Sequence, residues 1–237
     1  MHKFDSITIR YKKHRVQVTA VRGSEARQRQ IQYRSERILE SALELFCEKG
    51  IQETSVEEIA GKAGVGSATI YRYYSTKAEL AIQSGVAYWE KIAGTYLNVA
   101  DRKGYTDLTG KKQLECIMDG LKQIFEHEQA FLKYLQEFDV FVRKYGLTVE
   151  RLKEYEDCIM SLKPRVIDAL DKGKKDGTLS FEWSSEEVCY SLAHSVFGLM
   201  KKLSWNGSLL ALNEQNGLAL QVEIAVDLLV RGLTYKN

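Results

Sequence analysis

Proline is nearly missing from this chain: Pro164 is the single one in 237 residues. A sequence so short of helix breakers, and 44% hydrophobic, reads as all-α. Long apolar runs are missing as well, since none approaches the ~18 residues that a membrane helix needs. The first residues lack the continuous apolar segment of a secretion signal, so the expected location is the cytoplasm, with no membrane partner. The four cysteines (Cys47, Cys116, Cys158, Cys189) never form a CxxC pair. Each falls in a helical pattern, which suits reduced, packed thiols better than a disulfide framework. The four histidines are scattered, and no HExxH, GxSxG or phosphate-cradling glycine loop is present. The recognisable enzyme classes are thereby excluded, and neither a metal nor a cofactor is expected. A large excess of one charge is also lacking. The net charge is +2, yet unevenly placed: residues 1–30 hold eight Lys/Arg against two Asp/Glu (+6), residues 31–85 six against eight (−2), and the remainder twenty against twenty-two (−2).

What is present is organised around residues 54–80, TSVEEIAGKAGVGSATIYRYYSTKAEL. Thr54 and Ser55 each stand three residues before a glutamate, Glu57 and Glu58, which is the capping-box signature of a helix start. Val56, Ile59, Ala60 and Ala63 form one small apolar face at helical spacing. Gly64 supplies the left-handed residue that ends the helix. A second helix follows from Ser67, with Ile70 inward and small, polar, aromatic and cationic groups outward. Thr76 with Glu79 opens a third helix, expected to run over residues 76–100. Two short helices joined by a glycine-bearing turn make a helix-turn-helix, whose second helix enters the DNA major groove. The expected contacts are Ser67, Ala68, Thr69, Tyr71, Arg72 and Tyr73, with Thr54 and Ser55 at the head of the first helix. Lys77 joins them as a phosphate contact, being a cation in a first turn where the macrodipole favours anions.

The order of Ile59, Ala60, Ala63, Gly64, Val65, Thr69, Tyr71, Tyr74, Lys77 and Leu80 closely resembles the tetracycline-repressor (TetR) family of transcriptional regulators. The resemblance covers about residues 35–80; beyond it, only length and helical layout agree. It implies a homodimer on a palindromic double-stranded DNA operator, released when a small molecule occupies a C-terminal domain. It also implies that the last two helices pair with their copies as a four-helix bundle. Leu192, Ser195, Val196, Leu199, Gln221, Ile224 and Leu228 are the interface residues expected on that basis.

The domain layout that follows is a basic arm at 1–30, a helix-turn-helix DNA-binding domain at 31–82, and a ligand-binding and dimerisation domain at 83–237. The arm shows no helical stripe; it reads equally as a phosphate-tracking segment or a plain tail. Helix 1 is expected to open at Ser35. Phe131, Tyr134, Phe138, Phe141 and Tyr145 then step by three and four along one helix. They serve either as core or as one wall of a cavity for an apolar or aromatic ligand. On the second reading the ligand-binding residues are Trp89, Tyr96, Phe125, Phe131, Tyr134, Phe138, Phe141 and Tyr155. Three functions remain open: a ligand-released repressor, a regulator controlled by a protein partner instead, and a dimeric binding protein that no longer recognises DNA. The −2 charge of the reading module keeps the third in view.

Overall fold

A computed structural model describes residues 25–206 and 217–234. Every regular element among them is helical: α1 (Glu25–Lys49), α2 (Val56–Ala63), α3 (Ser67–Tyr73), α4 (Lys77–Ile92), α5 (Gly110–His127), α6 (Gln129–Tyr145), α7 (Val149–Ile159), α8 (Lys163–Asp176), α9 (Ser185–Asn206) and α10 (Leu218–Gly232). No helix among the described residues is long and apolar enough to cross a membrane.

The first three helices close on a small core of Ile38, Leu39, Ala42, Phe46, Val56, Ile59, Ala60 and Ile70, all buried. A buried hydrogen bond of 2.7 Å between the hydroxyls of Ser35 and Tyr74 ties the end of α3 back to α1. Helix α1 opens at Glu25, not at Ser35. Its first three turns are polar but rich in good helix formers, with an i,i+4 bond of 2.8 Å from Gln32 Nε2 to Glu36 Oε1. The expected arm therefore loses residues 25–30 to this helix, and its remaining 24 residues lie outside the described chain.

Helix α4 is the spine between the two halves, buried along almost its whole length from Leu80 to Ile92. It stops at Ile92 rather than near Ala100. A π-helical turn, Ala93–Leu97, and a 3₁₀ turn, Val99–Asp101, replace its last turns. Leu97 and Val99 are fully buried there, and Arg165 Nη1 on α8 donates to the Leu97 carbonyl at 3.0 Å. Packing and a side-chain donor thus satisfy a backbone that has left the α-ladder. In the larger half, α5 packs on α8, α6 on α9, and α10 on both α5 and α9. Pro164 lies in the first turn of α8, where its missing N–H costs nothing. α7 ends before it, through the 3₁₀ turn Met160–Leu162.

Candidate DNA-reading face and effector cavity

Helix α2 is capped by Ser55, not Thr54. Ser55 Oγ accepts from the Glu58 N–H at 3.1 Å, and Glu58 Oε2 accepts from the Ser55 N–H at 2.9 Å. Glu58 also pairs with Lys49, and these bonds hold its carboxyl down at about 2, so it stays ionised. Thr54 turns the other way. Its side chain is 1% exposed, and its hydroxyl donates to the carbonyls of Gly50 (2.8 Å) and Leu45 (3.3 Å). Thr54 thus locks the α1–α2 turn and offers nothing to DNA, contrary to the sequence expectation. Gly64 ends α2 at φ 64°, ψ 38°, and the N–H of Val65 reaches the Ala60 carbonyl at 3.0 Å.

Helix α3 then presents Ala68, Tyr71 and Arg72 to solvent, with Ser67, Thr69 and Tyr73 half-buried at its edges and Ile70 turned into the core. The Arg72 guanidinium lies 5.8 Å from the centroid of the Tyr73 ring, so a cation and two aromatic edges share the outer face. Lys77 is already engaged. Its ammonium donates to the Gln52 carbonyl at 2.9 Å, and partial burial lowers its pKa. An ammonium carries three donors, so a phosphate contact would be a second task for this residue.

The α1–α2 turn is gripped from behind by α6. Glu137 Oε2 accepts from the Ile51 N–H at 2.8 Å, and Lys144 Nζ reaches Gln52 Oε1. At Gly50, with φ 89°, a Cβ would run into the Glu137 carboxylate. The reading head is therefore attached to the larger half both through α4 and through this polar clasp. Sequence reading missed Glu137, because nothing local in the sequence distinguishes a carboxylate that caps a distant turn from a solvated one.

The aromatic stripe of α6 proves to be core. Phe131, Tyr134, Phe138 and Phe141 are all buried, and only Tyr145 is exposed. Tyr88 and Phe131 meet at 4.8 Å, Phe138 and Tyr155 at 4.6 Å, and Tyr134 and Phe138 at 5.8 Å between ring centroids. Tyr134 Oη spends its proton on the Ala81 carbonyl at 2.7 Å. Tyr96 bonds Glu128 at 3.0 Å, and Phe125 packs under α10. Of the eight residues expected to meet a ligand, Trp89 alone borders the apolar cavity formed beside α4.

That cavity, about 70 Å³, lies between α4, α5, α8 and α9. Ile117, Met118, Leu121, Val166, Leu192 and Phe197 form part of its apolar wall, and Lys163, Cys189 and Tyr190 its polar rim. Trp89 Nε1 is one of three buried side-chain polar atoms without a hydrogen-bond partner among the described residues. Such a donor costs roughly 1–3 kcal/mol while unpaired. Lys163 Nζ sits 2.9 Å from Tyr190 Oη and also pairs with Glu186, and both contacts raise its pKa. A larger crevice of about 260 Å³ runs between α5 and α10, but Asp119, Lys122, Glu126 and Glu223 line it. Open and charged, it suits water better than an apolar ligand.

The face expected to pair two copies is only half available. Leu192 (4% exposed) and Val196 (2%) are consumed by the protomer's own core, because α9 rests on α6 and α8. Ser195 is exposed, while Leu199 and Gln221 are half-buried. On α10, Ile224 and Leu228 stand out at 50% and 64% exposure, and Leu220 extends them to an i, i+4, i+8 stripe. Trp205 on α9 is likewise exposed at 45%.

A capped helix, a tight glycine turn and a short helix with a polar outer face define a helix-turn-helix DNA-binding protein. Residues 38–83 match the family model of bacterial regulatory proteins, tetR family. The chain is 34% identical over 145 residues to YvkB of Bacillus subtilis, an uncharacterized HTH-type transcriptional regulator, covering 61% of this chain and 70% of that one. With YuxN of the same organism, also an uncharacterized HTH-type transcriptional regulator, it shares 30% identity over 100 residues; the match spans 42% of this chain and only a third (33%) of YuxN. In three dimensions it superposes on Thermus thermophilus FadR, a TetR-family transcriptional repressor solved in complex with lauroyl-CoA. The TM-score is 0.55 at 22% identity, over 86% of this chain and 96% of that one. The chain belongs to the TetR family: it is a helix-turn-helix transcriptional regulator, not an enzyme.

Proposed function

We propose that this regulator is a homodimeric repressor that binds a palindromic operator and leaves it when a small apolar or aromatic effector fills the cavity beside Trp89. The reading rests chiefly on the outer face of α3, where Tyr71 and Arg72 are exposed on a helix whose inner residue, Ile70, is buried. Ser67, Ala68 and Thr69 are at the end of that helix that enters the groove first. Ser55 and Tyr73 flank it, and Lys77 supplies a nearby cation. Two copies read successive major grooves only when their α3 helices stand about 34–36 Å apart, or a whole multiple of that. The exposed stripe of Leu220, Ile224 and Leu228 supports a dimer that fixes such a spacing. The basic stretch of net +6 over residues 1–30, whose last six residues belong to α1, adds phosphate attraction that residues 31–85, at −2, do not supply.

Trp89 supports the effector half of the proposal. It borders the cavity and sits on α4, the helix that carries the head at its other end. A ligand against Trp89 bears directly on the element that sets the spacing of the two heads. A coupling of ~1–3 kcal/mol is typical for such linkage. That FadR of Thermus thermophilus, similar in fold, was solved in complex with lauroyl-CoA supports an effector with an apolar part.

The test is a titration of labelled DNA from the region upstream of the chain's own gene, with and without excess unrelated DNA. Saturable binding that survives the competitor is the expected result. Binding that the competitor removes completely would contradict operator recognition.

A further inference from the structure

The polar groups at the rim of the cavity are mainly donors. Lys163 Nζ is donor-only, and Cys189 and Tyr190 each carry a proton to give. No carboxylate, amide or aliphatic hydroxyl lines the space. A ligand with donors of its own would find only the Tyr190 oxygen and the weakly accepting Cys189 sulfur to receive them, whereas a ligand with acceptors meets the Lys163 ammonium and the Tyr190 hydroxyl at the rim. At the rim, Lys163 Nζ lies 2.9 Å from Tyr190 Oη and 4.7 Å from the centroid of its ring, so the ammonium is fixed rather than waving in solvent. Its counter-ion is the carboxylate of Glu186, from the first turn of α9, which is not part of the cavity lining. Glu186 thus plays the part of an internal anion at the mouth of an apolar space.

We infer that the occupant of this cavity is an apolar anion whose head displaces Glu186 and binds Lys163 Nζ and Tyr190 Oη. This deepens the effector reading and rests on it. The apolar body lies among Ile117, Leu121, Val166 and Phe197. At about 10–15 Å³ for each water-sized sphere, the present space holds roughly five such spheres, enough for a short alkyl chain but below the ~150 Å³ that takes a benzene ring. Because α8 bears Lys163 and α9 bears Glu186, displacement removes a tie between those helices at the moment that α4 gains a contact.

The experiment is calorimetric titration of the full chain with octanoate, octyl phosphate, octan-1-ol and octylamine, one chain length with four heads. Octanoate or octyl phosphate should bind about tenfold tighter than the alcohol, and the amine more weakly than either, a charge-assisted bond being worth at least that factor. Whichever anion is preferred assigns the head to the carboxylate or the phosphate class. Lys163→Met keeps an unbranched, apolar stem and should erase the preference for the anion without loss of alcohol binding. Glu186→Gln frees the ammonium and should tighten anion binding alone. Equal affinity for octanoate and octan-1-ol, or an anion preference that survives Lys163→Met, would overturn the inference while leaving an apolar effector cavity in place. If none of the four bound, the effector reading of this cavity would fall with it.

Discussion

Replacing Tyr71 and Arg72 together with alanine should weaken operator binding at least about 30-fold, because each good base contact is worth ~1–3 kcal/mol. The fold should survive. Both side chains are exposed, Tyr71 at 49%, and neither contributes to the core that Ile70 and Tyr74 join. Alanine is also the best helix former, so α3 itself is not penalised. Gel-shift titration, with circular dichroism and sedimentation as controls, checks the expectation. A double variant that binds its operator with native affinity would mean that α3 reads with some other face. Thr69 and Ser67, half-buried at the groove-entering end, should alter sequence preference more than overall affinity.

Phe138→Ala should be the most damaging single change in the larger half. Phe138 is 1% exposed and packs on Tyr134 and Tyr155 at ring-centroid distances of 5.8 and 4.6 Å. Truncating a buried phenylalanine costs ~3–5 kcal/mol, through lost burial and the cavity left behind. For a chain of this size each kcal/mol moves the melting temperature by roughly 2–4 °C, so a fall of about 6–20 °C is expected. Thermal denaturation followed by circular dichroism measures it. A melting temperature within a degree or two of the parent, with a weakened response to effector, would instead mark Phe138 as a ligand wall. The location of that ring favours the core role: Phe138 is buried and in ring contact with Tyr134, Phe141 and Tyr155, and it does not line the cavity beside Trp89.

Local signals were legible where they are self-sufficient. The helix-turn-helix announces itself because caps, glycine turn and apolar spacing fall within 27 residues, and each is satisfied by near neighbours. The choice between Thr54 and Ser55 as cap was not legible. Both precede a glutamate by three residues, and the decision is made by the Gly50 and Leu45 carbonyls that claim the Thr54 hydroxyl. The start of α1 was hidden for a different reason: its opening turns have no apolar face, so periodicity is silent there. The stripe of α6 shows the limit most clearly. Spacing reveals that five aromatics share a side, but only tertiary packing decides whether helices or a ligand cover it. The same holds for α9, whose Leu192 and Val196 face inward although the helix is apolar on more than one side. The cavity draws its polar rim from Lys163 and Tyr190, which are 27 residues apart on different helices, a juxtaposition that no motif encodes.

Hydroxyl-radical footprinting of the full chain on its own upstream DNA tests the central claim most directly. Two protected patches should appear on one face of the duplex, related by two-fold symmetry. Their centres should lie one helical turn or a whole multiple apart. The pattern should vanish with the Tyr71→Ala, Arg72→Ala double variant at the same protein concentration. A single patch without symmetry, or uniform protection with no boundary that fades as salt rises, would contradict a dimer reading DNA through two copies of α3.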